Sequence, residues 1–181
     1  GIHPGSVWPT KRWAAAGFAQ LIEELRRNSN CQAVLFGGAE DGAVVHDVLD
    51  RCGQAAINLT GQISLRELPA AIRRCRVFVT NDSGPMHIAV AEGVATVAVF
   101  CATTPALGFY PYSQHAAVLQ KDLSCRPCTS HGGRRCPLGH HACSELIQAA
   151  SVFSVVEKFL DADFAPGQTS LPSFQPEFIA A

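Results

Sequence analysis

Within eight positions, Thr80-Asn81-Asp82-Ser83-Gly84-Pro85-Met86-His87 sets out a carboxylate, a hydroxyl, a residue with no side chain and an imidazole. The apolar run Val77-Phe78-Val79 precedes it, and a helical pattern follows to about Glu92. A strand that turns into a helix through Asp, Ser and Gly leaves backbone N–H groups unpaired at the helix N-terminus, where the macrodipole favours an anion. Gly84 removes the Cβ that would hold a phosphate away, and Ser83 adds a hydroxyl donor. The chemistry predicted is anion binding. A duller role is equally open to Asp82, which could serve only as the helix cap.

Other groups suited to a nucleotide stand at comparable points. His3-Pro4-Gly5-Ser6 leads through Thr10-Lys11-Arg12-Trp13 into a helix, so Ser6 and Lys11 offer a hydroxyl and a point charge to a phosphate. The turn Gly37-Gly38-Ala39-Glu40 places a carboxylate where it could accept from ribose hydroxyls. Thr60-Gly61 marks a third turn. Taken singly, Lys11 reads as a solvated charge, Glu40 as a helix-start acid, Gly37-Gly38 as a turn and His87 as a buried structural histidine. On one shared rim they read as a nucleoside-diphosphate site.

Four of the eight cysteines fall together as Cys125-x2-Cys128-x7-Cys136-x6-Cys143, with His131, His140 and His141 among them. Cys-x2-Cys is a metal-knuckle spacing, and four thiolates suit a structural Zn²⁺ or an Fe–S cluster. Reduced thiols and disulfides are the other two states open to this loop, residues 124–143. The spacing after Cys128 matches no strong metal consensus. Cys31, Cys52, Cys75 and Cys101 fall in or beside core elements and read as small hydrophobes. The loop is expected to be structural and to lie outside the nucleotide rim.

The elements that must position these groups alternate along the chain. Ala14 to Arg27 is helical, with Phe18, Leu21, Ile22 and Leu25 on one face. Ala33-Val34-Leu35-Phe36 reads as a buried strand, Ala43 to Arg51 as a helix and Ala56-Ile57-Asn58-Leu59 as a short strand. Ser64-Leu65-Arg66-Glu67 is a capping box that opens a helix to about Arg74. Val77–Thr80 and Thr96–Phe100 are strands on either side of the helix that begins at Gly84, and Ser144–Leu160 is the closing helix. Repeated βα units with uninterrupted apolar strands predict an α/β fold, a Rossmann-like parallel sheet with helices on both faces. Ligands of such sheets bind beyond the carboxyl ends of the strands, and all four turns named above fall there.

A chain of 181 residues is long enough for one sizeable core. With 48% hydrophobic and 16% charged residues it matches a packed domain, not a disordered segment. A formal net charge of −1 gives no electrostatic case for nucleic acid. No apolar run reaches the roughly 20 residues that span a bilayer. The start at Gly1-Ile2-His3-Pro4 reads as the tail of a strand already under way, which predicts a fragment of a longer protein. From Asp161 the composition shifts to Pro, Ser, Gly and Gln, so Asp161–Ala181 is expected to be a tail or packing arm.

The order and spacing of Pro4-Gly5-Ser6 with Lys11-Arg12-Trp13, Gly37-Gly38-Ala39-Glu40, Leu59-Thr60-Gly61 and Asn81–His87 resemble the carboxy-terminal half of glycosyltransferase family nine, the ADP-heptose:lipopolysaccharide heptosyltransferases. Ala102-Thr103-Thr104-Pro105 followed by Gly108 to Pro111 is most similar to the heptosyltransferase II branch. One departure is Cys101, where glycine is expected. The resemblance implies one half of a two-domain GT-B enzyme, with residues 1–160 as the nucleotide-sugar donor domain. It implies that Ser6 and Lys11 contact the diphosphate, Glu40 the ribose and Asp82 the heptose, with Ser83 and Gly84 donating to phosphate and His87 orienting that loop or touching the donor. Gly61 falls beside the implied adenine pocket. Lys11 would stabilise the leaving group of an inverting transfer, with the catalytic base on the other half. The implied partners are ADP-heptose and a lipid A–core acceptor, and the implied location is the cytoplasmic face of the inner membrane. A fragment of this kind would bind donor without turnover. A non-catalytic nucleotide-binding module and a metal-dependent interaction domain built on the cysteine loop are the alternatives.

Overall fold

A computed structural model describes residues 1–162 and 177–180, so residues 163–176 and 181 of the expected tail lie outside the described residues. Its strands are β1 (Ile2–His3), β2 (Val34–Leu35), β3 (Ile57–Asn58), β4 (Val77–Asn81), β5 (Ala95–Phe100), β6 (Ala116–Gln120) and β7 (Glu177–Ala180). They form one sheet in the order β3-β2-β1-β4-β5-β6-β7, every neighbouring pair parallel. The chain passes outward from β1 through β2 to β3, then returns to lay β4 on the other side of β1. The switch point of the sheet is therefore the β1–β4 pair, registered as Ile2 with Val79 and His3 with Thr80.

Every residue of β4 and β5 is buried, as strands covered on both faces require. Alternation along them divides the core. Val77, Val79, Val97 and Val99 pack in one cluster with Phe18, Leu21 and Ile22 of α1 (Ala15–Asn28), with α2 (Gly42–Arg51) and with α6 (Ala149–Asp161). Phe78, on the opposite face, joins Ile72 of α3 (Leu68–Ile72) and Ala89 of α4 (Gly84–Ala91). Helices on both faces are thus an outcome of period-two burial in the strands. Among the described residues no helix is long and apolar enough to cross a membrane.

Several elements depart from the sequence reading. The expected helix Ser144–Leu160 is two helices, α5 (Ala142–Glu145) and α6. Between them the Ile147 carbonyl accepts a hydrogen bond from Trp13 Nε1 at 3.1 Å, so it is not spent inside a helix. Glu67 does accept from the Ser64 backbone and hydroxyl at 2.8 and 2.7 Å, yet the helix proper starts at Leu68. Pro69 sits in its first turn, where no N–H is needed. Strand β6 carries no strand signal of its own, and β7 adds residues 177–180 beside it within the expected tail.

Candidate functional site

The carboxyl ends of β1 and β4 are fastened by one side chain. Asn81 Oδ1 accepts from Trp13 N at 2.8 Å, and its Nδ2 donates to the carbonyls of Pro4 and Gly5 at 2.8 and 3.1 Å. Asn81 is fully buried. It holds the loop after β1 against the turn after β4. Arg12 draws the same loop inward, donating to the Ser6 carbonyl from Nε at 2.9 Å and from Nη2 at 2.6 Å.

On this platform Lys11 Nζ lies 2.8 Å from Asp82 Oδ2, with the two side chains 15% and 5% exposed. Thr103 Oγ1 donates to the same oxygen at 2.7 Å. Asp82 therefore does not cap α4: the cap position is Ser83, and no side-chain cap bond forms there. The capping role open to Asp82 in the sequence is not the one it takes. His87 is exposed, not a buried structural histidine. The buried imidazole is His3, whose Nδ1 lies 3.3 Å from Ser83 Oγ and 3.4 Å from Thr80 Oγ1 and whose Nε2 faces Asp41 at 3.5 Å.

Two cavities meet at Ser6, Val7, Ser83 and Gly84. The larger, about 580 Å³, has Glu40 on its polar side and Ile63, Leu65 and Leu68 on its apolar side. The smaller, about 350 Å³, holds Lys11, Asp82 and His87 with Trp8 and Phe109. Around Gly84 an added Cβ would meet nothing within 4 Å, so the start of α4 opens directly onto this junction. The structure thus brings Ser6, Lys11, Glu40, Asp82, Ser83, Gly84 and His87 onto one rim. It leaves Gly61 out. That residue adopts φ +69° and donates its N–H to the Gly37 carbonyl at 3.0 Å, closing a turn and lining neither cavity.

The cysteine loop is not outside this rim, contrary to the sequence expectation, because Ser130 and His131 line the smaller cavity. None of the eight cysteines is paired in a disulfide in this structure. Among the described residues no three His, Cys, Asp or Glu side chains are grouped to hold a metal ion, and Cys125, Cys128, Cys136 and Cys143 lie near enough to influence one another's charge. Burial pushes the Cys143 thiol up to about 11 and also raises Cys101 and Cys128. Cys136 moves the other way, because the His141 amide, followed by those of Leu138, Gly139 and His140, donates to its sulfur. Arg126 roots the loop, donating to the carbonyls of Phe100 and Thr103 at 3.0 and 2.6 Å and to those of Cys101 and Lys121.

Residues 1–138 match Glycosyltransferase family 9 (heptosyltransferase). The chain belongs to that family. Lipooligosaccharide heptosyltransferase 2 of Campylobacter jejuni subsp. jejuni serotype O:6 is 31% identical over 163 residues, covering 87% of this chain and 50% of that protein. Lipopolysaccharide heptosyltransferase 2 of Escherichia coli K12 is 35% identical over 122 residues, covering 65% of this chain and 34% of that protein. The solved structure of E. coli ADP-heptose LPS heptosyltransferase II superposes with a TM-score of 0.71 at 26% identity, covering 88% of this chain and 45% of that one. The family 9 glycosyltransferase of Veillonella parvula DSM 2008 gives 0.70 at 32% identity, with the same coverage. The family resemblance and the GT-B type of sheet are borne out, and the chain spans about half the length of the Campylobacter relative.

Sequence reasoning missed Thr103 and Asp41 as supports of this family 9 rim, and the Ser130–His131 wall. Thr and Asp carry no local signal of a distant partner. The sequence pattern of the loop lies in its thiols, and nothing in their spacing says where its tip lands.

Proposed function

We propose that this chain is the donor-binding half of a heptosyltransferase that moves heptose from ADP-heptose to the inner core of lipopolysaccharide, with inversion. One observation carries the reading: in a family 9 chain, two cavities join at Ser6, Ser83 and Gly84 beside the Lys11–Asp82 pair. The larger cavity suits a nucleoside, with Ile63 and Leu65 against adenine and Glu40 accepting from ribose hydroxyls. The diphosphate lies across the junction, taking N–H groups from the start of α4 and hydroxyls from Ser6 and Ser83. The smaller cavity takes the heptose, whose hydroxyls Asp82 and His87 recognise. As ADP departs, negative charge grows on its terminal phosphate, and Lys11 together with the α4 N-terminus stabilises it.

A carboxylate on the other GT-B half removes the proton of the acceptor hydroxyl. The lipid A–core acceptor binds through that half, at the cytoplasmic face of the inner membrane. This chain alone binds donor without turnover. Calorimetric titration with ADP, ADP-heptose, UDP and GDP tests the assignment. ADP should bind more tightly than UDP or GDP, and equal affinities for the three would overturn it. Restoring the other half and assaying heptose transfer separates an enzyme from a nucleotide-binding module.

A further inference from the structure

We propose that the tip of the cysteine loop, Ser130–Gly133, positions Lys11 and is a working part of the anion site. The inference rests on the nucleotide reading above and concerns how its lysine is held. An ammonium on a four-carbon stem has many rotamers, so a fixed position for Nζ needs restraint of both stem and head. The head is paired with Asp82. The stem is closed off by the loop.

Gly132 makes that closure. An added Cβ there would stand 2.8 Å from Lys11 Cγ and 2.9 Å from Trp8 Cβ, and the residue has φ +92°. Its backbone therefore lies against the lysine stem at a distance, and in a conformation, that suits only glycine. Next to it, Gly133 grips the residue before Lys11 through three bonds. Thr10 N and Thr10 Oγ1 donate to the Gly133 carbonyl at 3.2 and 3.0 Å, and Gly133 N donates to Thr10 Oγ1 at 2.7 Å. Thr10 is buried. His141, from the far end of the loop, contacts the Thr10 carbonyl with Nε2 at 3.1 Å.

The tip has its own rigidity. Thr129 Oγ1 accepts from Gly132 N at 2.7 Å and donates to the Gly132 carbonyl at 2.8 Å. At the root, Cys128 N donates to the Ala102 carbonyl at 3.0 Å. Ala102 N in turn contacts the Thr10 carbonyl at 3.3 Å. The loop thus closes a ring around the short helix Pro9–Lys11 that ends in the lysine. Holding a charged side chain in its working place before the ligand arrives lowers the ordering cost of binding. With Ser130 and His131 on the wall of the same cavity, the tip both sets the lysine and bounds the ligand.

The test uses the full chain and two probes, ADP and adenosine, titrated calorimetrically, with thermal melts to follow folding. Gly132→Ala and Thr10→Val should each weaken ADP by about 3- to 10-fold, the scale of one or two neutral hydrogen bonds. Adenosine should change by less than about twofold, since it carries no phosphate. Thr10→Ser, which keeps the hydroxyl, should bind ADP as the parent does. In a Lys11→Ala background, Gly132→Ala should add little, because its effect passes through that lysine. Unchanged ADP affinity in both single variants, equal losses for ADP and adenosine, or a full extra loss in the Lys11→Ala background would overturn the positioning role. A loss on Lys11→Ala with none on Gly132→Ala or Thr10→Val overturns this inference alone. No loss on Lys11→Ala overturns the nucleotide reading and this inference with it.

Discussion

Asp41 sits beneath the larger cavity, where an added Cβ on Gly5 would stand 2.1 Å from its carboxylate. Gly38 N donates to Asp41 Oδ2 at 3.1 Å, and His3 Nε2 faces the same oxygen. Burial pushes this carboxyl upward, but the His3 hydrogen bond and charge, the Gly38 amide and Arg12 outweigh it and hold Asp41 below the usual range. A depressed folded value contributes stability that is fully present above the ordinary value of about 4 and is lost as pH falls through the lower, folded one. Urea midpoints measured below about pH 4 should therefore fall more steeply for the parent than for Asp41→Asn. Parallel acid limbs would mean that Asp41 contributes nothing through its ionisation. Asp82 follows a different logic, because its partners are a lysine and a threonine brought from other loops.

At the scale of elements, Asn81 is the join between strand end and loop. Asn81→Ala would remove three hydrogen bonds and leave the Trp13 N–H without its acceptor. At about 1 kcal/mol for each bond and a comparable cost for the stranded donor, the loss should be about 2–4 kcal/mol. A melting temperature within about one degree of the parent would refute that role. Much at this scale was legible in the sequence. Val77–Val79 and Thr96–Phe100 read as strands because burial on both faces leaves an unbroken apolar run, and Asn81–Gly84 reads as a strand-to-helix turn because its residue types suit little else. β6 was not legible: Ala, Leu and Gln are good helix formers, and Ala116–Gln120 becomes a strand by pairing with β5 and β7. Nor was the break at Leu146–Gln148, since the indole that claims the Ile147 carbonyl belongs to Trp13. The rim residues on strand ends were readable for the same reason as the strands. Their partners Thr103, Asp41 and Ser130–Gly133 were not, because no local pattern encodes a contact across the fold.

For the molecule as a whole, the two cavities straddle the centre of the sheet, and the loop tip is tied to the same place. ADP should therefore slow amide exchange at residues 5–12, 83–87 and 130–133 together while leaving α6 unaffected, as hydrogen-exchange mass spectrometry can read. Protection of the first two segments without the third would separate the tip from the site. The position of β1 between β2 and β4 has one more consequence, for the order in which the molecule is made. The Asn81 bond to the Pro4 carbonyl joins residues 77 apart in sequence. A ribosome adding roughly 5–20 residues per second needs about 4–15 s to cover that interval. Until then the segment bearing Ser6 and Lys11 lacks the Asn81 bonds that fasten it. The rim also needs Thr103 and the Ser130–Gly133 tip, made later still, so a ligand of the rim can steady the finished sheet but cannot guide the nascent chain toward it.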